Sequence, residues 1–390
     1  MKMNKFPQQV NNKVVLVRTD FNVSLEEGEV VDSYRMEQTI PTIKKLVEEE
    51  AKVVLMSHLG RPLRSDESKY EFSLQPLVSK LEELLGQEVI FVEDCIGPKV
   101  KRRVDGLKKG QVMLLENVRF YKGERENDSG FAQKLADLAD IYINDAFGVS
   151  HRAHASVEAV TNYLPSYPGL SMQKEINELK AVINDPDRPL SIIIGGSKVK
   201  TKVKALKPLL EQADHLLLGG MIANMILRAK GISINKPLPK EEVAQEIDAL
   251  DLTSNKLHLP VDVVVSPTES GDVYTKQAAP GTIKKKEKIL DIGPDTIEMF
   301  NEIINESAMV VWNGPLGVFE KEDFAQGTKQ VGEATVESEA YSIAGGGDTS
   351  AALLKFDLRS KFDHVSVGGG AMLEFLTGQE LPAIKALNDD

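Results

Sequence analysis

The chain has 390 residues and a formal net charge of −12 at pH 7, from 47 Lys and Arg against 59 Asp and Glu. This length favours two or three domains, and the acidic balance argues against a nucleic-acid-binding protein or a basic membrane-surface protein. The single cysteine, Cys95, excludes an internal disulfide framework and any multi-cysteine zinc or iron–sulfur site within one chain.

The N-terminus and the cysteine content indicate the compartment. Residues 1–13 lack the apolar stretch of a secretion signal, and no segment approaches the roughly 18 to 20 apolar residues of a membrane span. One cysteine fits a reducing cytosol. We therefore expect a cytoplasmic protein that has neither a membrane nor a nucleic acid as partner.

Short apolar runs alternate with stretches of helical periodicity in the first part of the chain. The runs that predict strands are Lys13 to Val17, Val53 to Met56, Val89 to Val92, Val112 to Leu115 and Ile141 to Ile143. Between the first two runs, one helical face carries Ile40, Ile43, Leu46 and Val47. This spacing is typical of a βαβ crossover, so we expect a parallel sheet with helices on both faces.

A second series of apolar runs starts after residue 185. Its predicted strands, all expected to be buried and parallel, are Leu190 to Ile194, His215 to Leu218, Val261 to Val265, Met309 to Trp312, Tyr341 to Ala344 and His364 to Val367. Between the two series, the prolines and glycine of Leu164 to Gly169 predict a break in regular structure and a domain boundary. The helical stripe that follows predicts a connecting helix, and it consists of Met172, Ile176, Leu179, Val182 and Ile183.

Polar side chains, most of them cationic or amide, follow the predicted strands of the first series. Ligands of open parallel sheets bind beyond the carboxyl ends of the strands, where these side chains would meet. They are Asp20 and Asn22, His58 and Arg61, Asn117 and Arg119, and Asn144 with His151, Arg152 and His154. Guanidinium groups after separate strands would converge on a small anion such as a phosphate or a carboxylate. For any single arginine, the alternative is a salt bridge with a nearby carboxylate.

Glycines follow the predicted strands of the second series, and helical patterns follow most of them. The sequences are Gly195-Gly196-Ser197-Lys198, Gly219-Gly220, Asn313-Gly314-Pro315-Leu316-Gly317, Gly345-Gly346-Gly347-Asp348-Thr349 and Gly368-Gly369-Gly370. Glycine lets a phosphate approach the backbone, and a helix N-terminus offers unpaired N–H donors. Ordinary turn chemistry is the alternative for one glycine pair, but five such ends with Lys198 and Asp348 favour a nucleotide. The Asp348 carboxylate suits Mg²⁺ on that nucleotide.

Two sheets with different chemistry at their ends predict two ligands held across a cleft and transfer of a group between them. Familiar signatures of other classes are absent from the sequence, namely the Walker A loop, G-x-G-x-x-G, H-R-D, D-F-G, H-E-x-x-H and G-x-S-x-G. The residues by themselves therefore indicate a phosphotransferase without identifying its substrates. Two alternatives stay open, a non-catalytic two-domain anion-binding protein and an acyl-phosphate kinase of another specificity.

Seven motifs, in order along the chain, resemble the phosphoglycerate kinase family over essentially the whole length. They are VRTDFNV (Val17 to Val23), SHLGRP (Ser57 to Pro62), LLENVRF (Leu114 to Phe120), NDAFGVSHRAH (Asn144 to His154), GGSKV (Gly195 to Val199), WNGPLGVFE (Trp312 to Glu320) and GGGDT (Gly345 to Thr349). The resemblance implies reversible phosphoryl transfer from 1,3-bisphosphoglycerate to Mg-ADP, giving 3-phosphoglycerate and ATP in glycolysis. It also implies a monomer whose partners are small molecules only.

A fold and a domain organisation follow from the same resemblance. The expected fold class is α/β, with two doubly wound, Rossmann-like parallel-sheet domains that face each other across a cleft. Residues 1–169 would bind the triose phosphate, residues 170–184 would form an interdomain helix, and residues 185–375 would bind the nucleotide. Residues 376–390 would pack back on the first domain, and the two domains would close around both substrates.

The site residues of the family carry over to positions of this sequence. The triose-phosphate site would contain Asp20, Asn22, Arg35, His58, Arg61, Arg119 and Arg152. The nucleotide site would contain Gly195, Lys198, Lys202, Gly219, Asn313, Glu320, Gly347, Asp348 and Thr349, with Glu320 toward the ribose and Asp348 toward Mg²⁺. Because an acyl phosphate is already activated, no strong base is needed, and Arg35 and Lys198 are the expected catalytic residues. We assign His58 to substrate binding, since the phosphoryl acceptor has no proton to remove.

The sequence departs from the family pattern at a few positions. Val367 stands where the family usually has Thr, and Met372 stands where it usually has Ser, so a hydroxyl is lost at both positions. The glycine backbone and the helix start between them remain. Val149-Ser150 replaces the usual Thr-Ala before His151, and we expect this change to be tolerated.

Overall fold

The computed structural model of the protein describes residues 4–62, 71–232 and 241–388. The chain divides into two compact units, Met1–Asn177 with Glu380–Asp390 (unit 1) and Glu178–Gln379 (unit 2). Each unit is built on its own six-stranded parallel sheet. The predicted α/β class, with two parallel-sheet domains, is therefore confirmed.

Unit 1 contains the first parallel sheet and a short antiparallel hairpin. Its strands are β1 (Val14–Thr19), β2 (Leu25–Glu26), β3 (Glu29–Val30), β4 (Lys52–Met56), β5 (Val89–Val92), β6 (Val112–Leu115), β7 (Ile141–Asp145) and β8 (Ser166–Pro168). The order in the parallel sheet is β5-β6-β4-β1-β7-β8, and β2 pairs with β3. The five strands predicted for this half are all confirmed.

Helices cover both faces of this sheet because its strands are apolar on both faces. Successive side chains of a strand point to opposite faces, so Val15 and Val17 of β1 pack in one core cluster and Leu16 packs in another. The helices are α1 (Tyr34–Glu48), α2 (Leu77–Leu85), α3 (Pro98–Asp105), α4 (Lys122–Arg125), α5 (Ser129–Ala136) and α6 (Leu170–Asn184).

The helix that follows the predicted boundary is α6, and the division between the units lies inside it, between Asn177 and Glu178. The predicted break in regular structure before it is wrong, because Ser166–Pro168 forms β8 and pairs in parallel with β7. This strand lies at the edge of the sheet. Proline is tolerated there, since its missing N–H removes no bond from a central ladder.

Unit 2 contains the second parallel sheet and a smaller antiparallel one. Its strands are β9 (Leu190–Ile194), β10 (His215–Leu218), β11 (Leu257–His258), β12 (Val263–Ser266), β13 (Lys276–Ala278), β14 (Lys288–Ile292), β15 (Met309–Asn313), β16 (Tyr341–Gly345) and β17 (His364–Ser366). The main sheet has the order β11-β10-β9-β15-β16-β17. Five of the six strands predicted for this half lie in it.

The sixth predicted strand, Val261 to Val265, is wrong in its partners. The structure places β12 between β13 and β14 in the antiparallel sheet, and Val261 is exposed before the strand begins. An apolar run indicates burial but not strand direction, so the pattern could not separate the two sheets. In this sheet, Ser266 at the end of β12 pairs with Lys288 at the start of β14.

The helices of unit 2 pack on its main sheet and on the smaller one. They are α7 (Val199–Gln212), α8 (Gly220–Ala229), α9 (Glu241–Asp248), α10 (Pro294–Asn305), α11 (Gln326–Glu337), α12 (Gly347–Lys355) and α13 (Gly369–Leu376). Within the described ranges, no helix is both long enough and apolar enough to cross a membrane.

The C-terminal segment from Glu380 belongs to unit 1. It contains α14 (Pro382–Lys385), whose Ala383 packs with Ala146, Val149 and Val157. The Ala383 N–H donates to the Ser150 carbonyl oxygen at 3.2 Å. Backbone and side-chain contacts therefore both hold this segment beside the loop that follows β7.

Candidate active site

The carboxyl end of the unit 1 sheet carries a cluster of charged side chains. Asp20 follows β1, and His58 follows the neighbouring parallel strand β4, so both residues lie at the same edge. Arg35, in the first turn of α1, donates from Nη1 to Asp20 Oδ2 at 3.1 Å. His58 Nδ1 lies 3.9 Å from Asp20 Oδ1. The structure thus brings together three of the predicted triose-phosphate residues.

The backbone of Gly60 joins two more predicted residues to this cluster. Asn22 Oδ1 accepts from the Gly60 N–H at 2.7 Å, and Arg119 Nη1 donates to the Gly60 carbonyl oxygen at 2.7 Å. The Asn22 oxygen thus fixes the side chain on the Gly60 backbone, and the amide N–H groups of Asn22 are donors that it can offer to a ligand. Arg119 Nε is buried and has no hydrogen-bond partner among the described residues. An anion at this edge would supply that partner.

Burial and mutual repulsion shift the pKa values of the cluster. Burial, followed by the charges of Arg18, Arg119 and Arg35, lowers the pKa of His58 well below its ordinary value. Burial, followed by the charges of Arg18 and Arg152, lowers the pKa of Arg119 to about 10. His58 is therefore a neutral imidazole surrounded by guanidinium groups. Such a concentration of positive charge favours an anionic ligand.

The remaining predicted residues of unit 1 lie at the margin of the cluster. Arg152 Nε donates to His151 Nε2 at 3.1 Å, and burial, followed by the charge of Arg152, lowers the pKa of His151 to about 4. His154 is buried, with Nδ1 3.6 Å from Glu124 Oε1. Arg61 is exposed, and in the part of the chain that the structure describes no ion pair or hydrogen bond joins it to the cluster.

The carboxyl end of the main sheet in unit 2 is a set of tightly packed glycine loops. The Gly195 N–H donates to the Asn313 carbonyl at 3.0 Å and the Gly196 N–H to the Pro315 carbonyl at 2.7 Å, which joins the loops after β9 and β15. A Cβ on Gly195 would overlap the Pro315 carbonyl oxygen, so this approach requires glycine. The two loops therefore pack backbone against backbone, with no room for a side chain at Gly195.

Lys202 is buried among these loops. Its Nζ donates to the carbonyl oxygens of Gly195 at 2.7 Å and Asn313 at 3.0 Å. Burial lowers its pKa to about 8, so the ammonium group still carries its charge at pH 7. Three N–H bonds are available to an ammonium group, and two are used here. The third N–H has no acceptor among the described residues and can serve a ligand.

Helix α12 presents its N-terminus at the same end of the sheet. Gly346 precedes the helix with φ of +108°, a conformation that favours glycine. Asp348 lies in the first turn, and its Oδ2 is 3.3 Å from Lys198 Nζ. Thr349 Oγ1 hydrogen-bonds two backbone groups of the protein, at 2.7 and 2.8 Å. The backbone N–H groups of this first turn are the donors that suit phosphate oxygens.

A cavity of about 290 Å³ lies beside these loops, within unit 2. Its lining includes Gly196, Gly220, Asp291, Phe319, Glu320 and Asp348. Two predicted nucleotide residues, Glu320 and Asp348, therefore face it directly. Gly195, Lys202 and Asn313 belong to the loop framework behind it, and the lining contains Gly220 rather than its neighbour Gly219.

Sequence reasoning missed two buried ionisable residues, Asp291 in the wall of the unit 2 cavity and Arg18 behind the unit 1 cluster. Asp291, in β14, accepts from the Gly327 N–H at 2.8 Å, and burial raises the pKa of this carboxyl to about 7. Arg18, in β1, is fully buried and adjoins His58, with Arg18 Nη2 3.2 Å from His58 Nδ1. The available signal was a charged residue inside an apolar run, which a strand buries only if a partner compensates it.

The two lost hydroxyls have an explanation in packing. Met372 is fully buried, and a Cβ on Gly345 would overlap its sulfur. Val367 is buried as well. Met372 packs against Gly345 at the end of β16, and neither side chain has a hydroxyl to offer to a ligand.

Comparisons with known proteins agree over nearly the whole chain. The family model described as phosphoglycerate kinase matches residues 4–379. A curated phosphoglycerate kinase from Moorella thermoacetica is 46% identical over 385 residues, which is 98% of each chain. The structure of phosphoglycerate kinase from Coxiella burnetii has a TM-score of 0.83 at 39% identity and covers 99% of each chain. The crystal structure of the enzyme from Pyrococcus horikoshii has a TM-score of 0.87 at 32% identity and covers 97% of each.

These matches exclude a non-catalytic binder and a kinase for another acyl phosphate. The chain belongs to the phosphoglycerate kinase family and is an enzyme that transfers the acyl phosphate of 1,3-bisphosphoglycerate reversibly to ADP, giving 3-phosphoglycerate and ATP in glycolysis.

Proposed function

We propose that the cationic edge of the unit 1 sheet binds the triose phosphate and that the glycine loops of unit 2 bind the nucleotide. The observation that carries this assignment is the chemical contrast between the two edges. Unit 1 offers guanidinium donors, including a buried Arg119 Nε without a partner among the described residues. Unit 2 offers backbone N–H groups at a helix start beside Lys198 and the Asp348 carboxylate.

On the triose-phosphate side, the arginines would neutralise phosphate and carboxylate oxygens, and the other residues would orient them. Asp20 holds Arg35 through its 3.1 Å contact, and Asn22 presents its amide N–H groups. The residues that we assign to this side are Asp20, Asn22, Arg35, His58, Arg61, Arg119 and Arg152.

On the nucleotide side, the backbone would do more of the binding than the side chains. The first turn of α12 would hold phosphate oxygens through the N–H groups of Gly347, Asp348 and Thr349. Lys198 and the free donor of Lys202 would add positive charge, and Glu320 at the cavity wall would accept from ribose hydroxyls. Gly195, Gly219 and Asn313 would keep the loops closely packed.

We assign Asp348 to Mg²⁺. This ion is commonly held by one or two carboxylates together with phosphate oxygens and water. The Asp348 side chain is half exposed in the first turn of α12, where the phosphates are proposed to bind, so it fits that pattern. Bound Mg²⁺ would neutralise charge on the nucleotide phosphates.

Asp348→Asn is expected to raise the Mg²⁺ concentration needed for half-maximal activity by about tenfold or more, because a neutral amide oxygen binds this ion more weakly than a carboxylate. Activity measured against Mg²⁺ at fixed ADP tests this. Asp357→Asn, at an exposed position, is the matched control and should behave like the parent enzyme. An unchanged Mg²⁺ requirement in Asp348→Asn would remove this residue from the metal site.

We propose that the transfer step is in line and depends on alignment and charge neutralisation. The phosphoryl acceptor has no proton to lose, so a general base has no task. Arg35 and Lys198 are the proposed catalytic residues, since each carries a fixed positive charge at the edge of its own unit. The neutral His58 cannot supply such a charge and is assigned to binding.

We also propose that the two units close around both substrates. The reacting oxygen and phosphorus must come within about 3 to 3.5 Å of each other while water is excluded. The radius of gyration from small-angle X-ray scattering is expected to fall with 3-phosphoglycerate and a non-hydrolysable ATP analogue together, and to fall less with either alone. A radius that does not change with the pair would contradict closure.

We also propose that the protein is a cytoplasmic monomer that has neither a membrane nor a nucleic acid as partner. The net charge of −12 supports it, because an acidic surface repels nucleic acids and anionic lipids. The single cysteine, which is buried and unpaired, fits a reducing compartment.

A further inference from the structure

Arg18 is a fully buried arginine that lies directly behind the proposed triose-phosphate residues. All of its side-chain nitrogens have acceptors within the protein. Nε donates to Ser156 Oγ at 2.8 Å, Nη1 donates to the Thr19 carbonyl oxygen, and Nη2 lies 3.2 Å from His58 Nδ1. Arg18 is therefore a component of the interior and has a specific contact with one substrate-binding side chain.

The contact with Arg18 determines which nitrogen of His58 carries the proton. A guanidinium group only donates hydrogen bonds, so His58 Nδ1 must be the acceptor and must have its lone pair free. The ring is neutral, because burial and three neighbouring guanidinium groups lower its pKa. A neutral imidazole with a free Nδ1 carries its proton on Nε2. Among the described residues, no group hydrogen-bonds to Nε2, so this N–H can serve a ligand.

The other tautomer would need Asp20 as its partner. Asp20 Oδ1 is 3.9 Å from His58 Nδ1, which is too long for a hydrogen bond. A proton on Nδ1 would also face the N–H groups of Arg18 Nη2 at 3.2 Å. Asp20 is instead engaged by Arg35. The geometry therefore selects the tautomer with the proton on Nε2.

A second buried layer holds Arg18 in place. Ser156 Oγ, which accepts from Arg18 Nε, donates to Glu124 Oε1 at 2.7 Å, and the Ser156 N–H donates to Glu124 Oε2 at 2.8 Å. Burial by itself would raise the pKa of Glu124, but His154, Arg18 and Ser156 together lower it. Glu124 thus stays ionised and compensates the charge of Arg18, whose Nη2 is 3.9 Å away. If the side chain of Arg18 or Glu124 moved away, the charge of the other would be buried without a partner.

We propose that Arg18, held by Glu124 and Ser156, is a positioning residue that keeps His58 in the tautomer with a proton on Nε2, so that His58 donates one hydrogen bond to an oxygen of the triose phosphate. This inference rests on the proposed role of His58 in substrate binding. It specifies that role further: His58 donates the hydrogen bond to the substrate through its Nε2–H group and does not accept one.

Two substitutions of His58 separate the two ring nitrogens. The amide nitrogen of Gln can occupy the place of Nε2, whereas Asn reaches only the place of Nδ1. In His58→Gln, the KM for 3-phosphoglycerate is expected to stay within about threefold of the parent value. In His58→Asn it is expected to rise by about tenfold or more, as for loss of one hydrogen bond to a charged group. A smaller effect in His58→Asn than in His58→Gln would overturn the proposal.

Nitrogen NMR of the substrate-free enzyme labelled in its six histidines reads the tautomer without any substrate. The signal that disappears in His58→Gln identifies His58, and we expect its Nδ1 to be unprotonated. In Arg18→Met, which fills similar space but has no donor for Nδ1, a signal from protonated Nδ1 should appear and the KM should rise by about threefold to tenfold.

The outcomes distinguish this inference from the proposed function on which it rests. Protonated Nδ1 in the parent enzyme overturns the tautomer assignment, even if Arg18→Met does not fold. An unprotonated Nδ1 that persists in a folded Arg18→Met overturns the role of Arg18. If both His58 variants keep the parent KM, the assignment of His58 to the substrate site fails, and the hydrogen bond to the triose phosphate fails with it.

Discussion

Arg35→Lys is expected to lower kcat by about tenfold to a thousandfold, which corresponds to roughly 1.4 to 4 kcal/mol for one misplaced stabilising donor. The Arg35 guanidinium is three-quarters buried and uses Nη1 to reach Asp20 Oδ2 at 3.1 Å, which leaves the rest of its planar fork for the phosphoryl oxygens. Lysine keeps the charge but has a single flexible ammonium group. It can satisfy Asp20 or the phosphoryl group, but not both in the geometry of the fork.

Steady-state kinetics in the direction of ATP use measures this effect. The KM for 3-phosphoglycerate should change less than kcat, because the lost interaction belongs to the transferred group. Arg103→Lys, at an exposed position of α3, is the matched control and should keep normal turnover. If Arg35 only pairs with Asp20, lysine can keep that ion pair and kcat should stay near normal. The melting temperature of each variant serves as a check on folding.

Lys198→Ala is expected to lower kcat by about a hundredfold to a thousandfold while nucleotide affinity falls by less than about tenfold. The Lys198 side chain is two-thirds exposed and its Nζ lies 3.3 Å from Asp348 Oδ2, so its loss leaves the fold intact. A charge directed at the moving phosphoryl group acts mainly in the transition state. Removing it should therefore slow the transfer more than it weakens binding.

Single-turnover rates measure the effect on the transfer step, and the ADP dissociation constant, measured separately, gives the effect on nucleotide affinity. Lys204→Ala removes an exposed lysine from the same helix and is the matched control. Equal losses in kcat and in affinity would contradict a role in the transition state and would make Lys198 an ordinary nucleotide contact.

Much of the fold could be predicted because the strands of a buried parallel sheet are continuous apolar runs. The bounds of β5, β6, β9 and β10 agree with the prediction to the residue. The same property led to the wrong sheet for β12, because a buried strand of an antiparallel sheet can have the same apolar run as a strand of a parallel sheet. It also left β8 undetected, because prolines are typical of loops and are tolerated in a strand only at a sheet edge, which a local pattern does not show.

The sequence by itself determined which chemical groups stand at the strand ends, since the order of apolar runs and motifs is enough to place cations after one sheet and glycines after the other. The seven motifs likewise determined the family. These properties are local, because each depends on residues that are neighbours along the chain.

Only the tertiary structure decided how the groups are used. Arg18 meets His58 across 40 positions of sequence and Ser156 across 138, and their contacts select a proton position that no local pattern records. Lys202 donates two hydrogen bonds to loop carbonyl oxygens, one of them 111 residues away along the chain. Its burial among these loops lowers its pKa to about 8. Tautomer, burial and pKa depend on partners that the fold brings together from distant parts of the chain, so they exist only once the chain has folded.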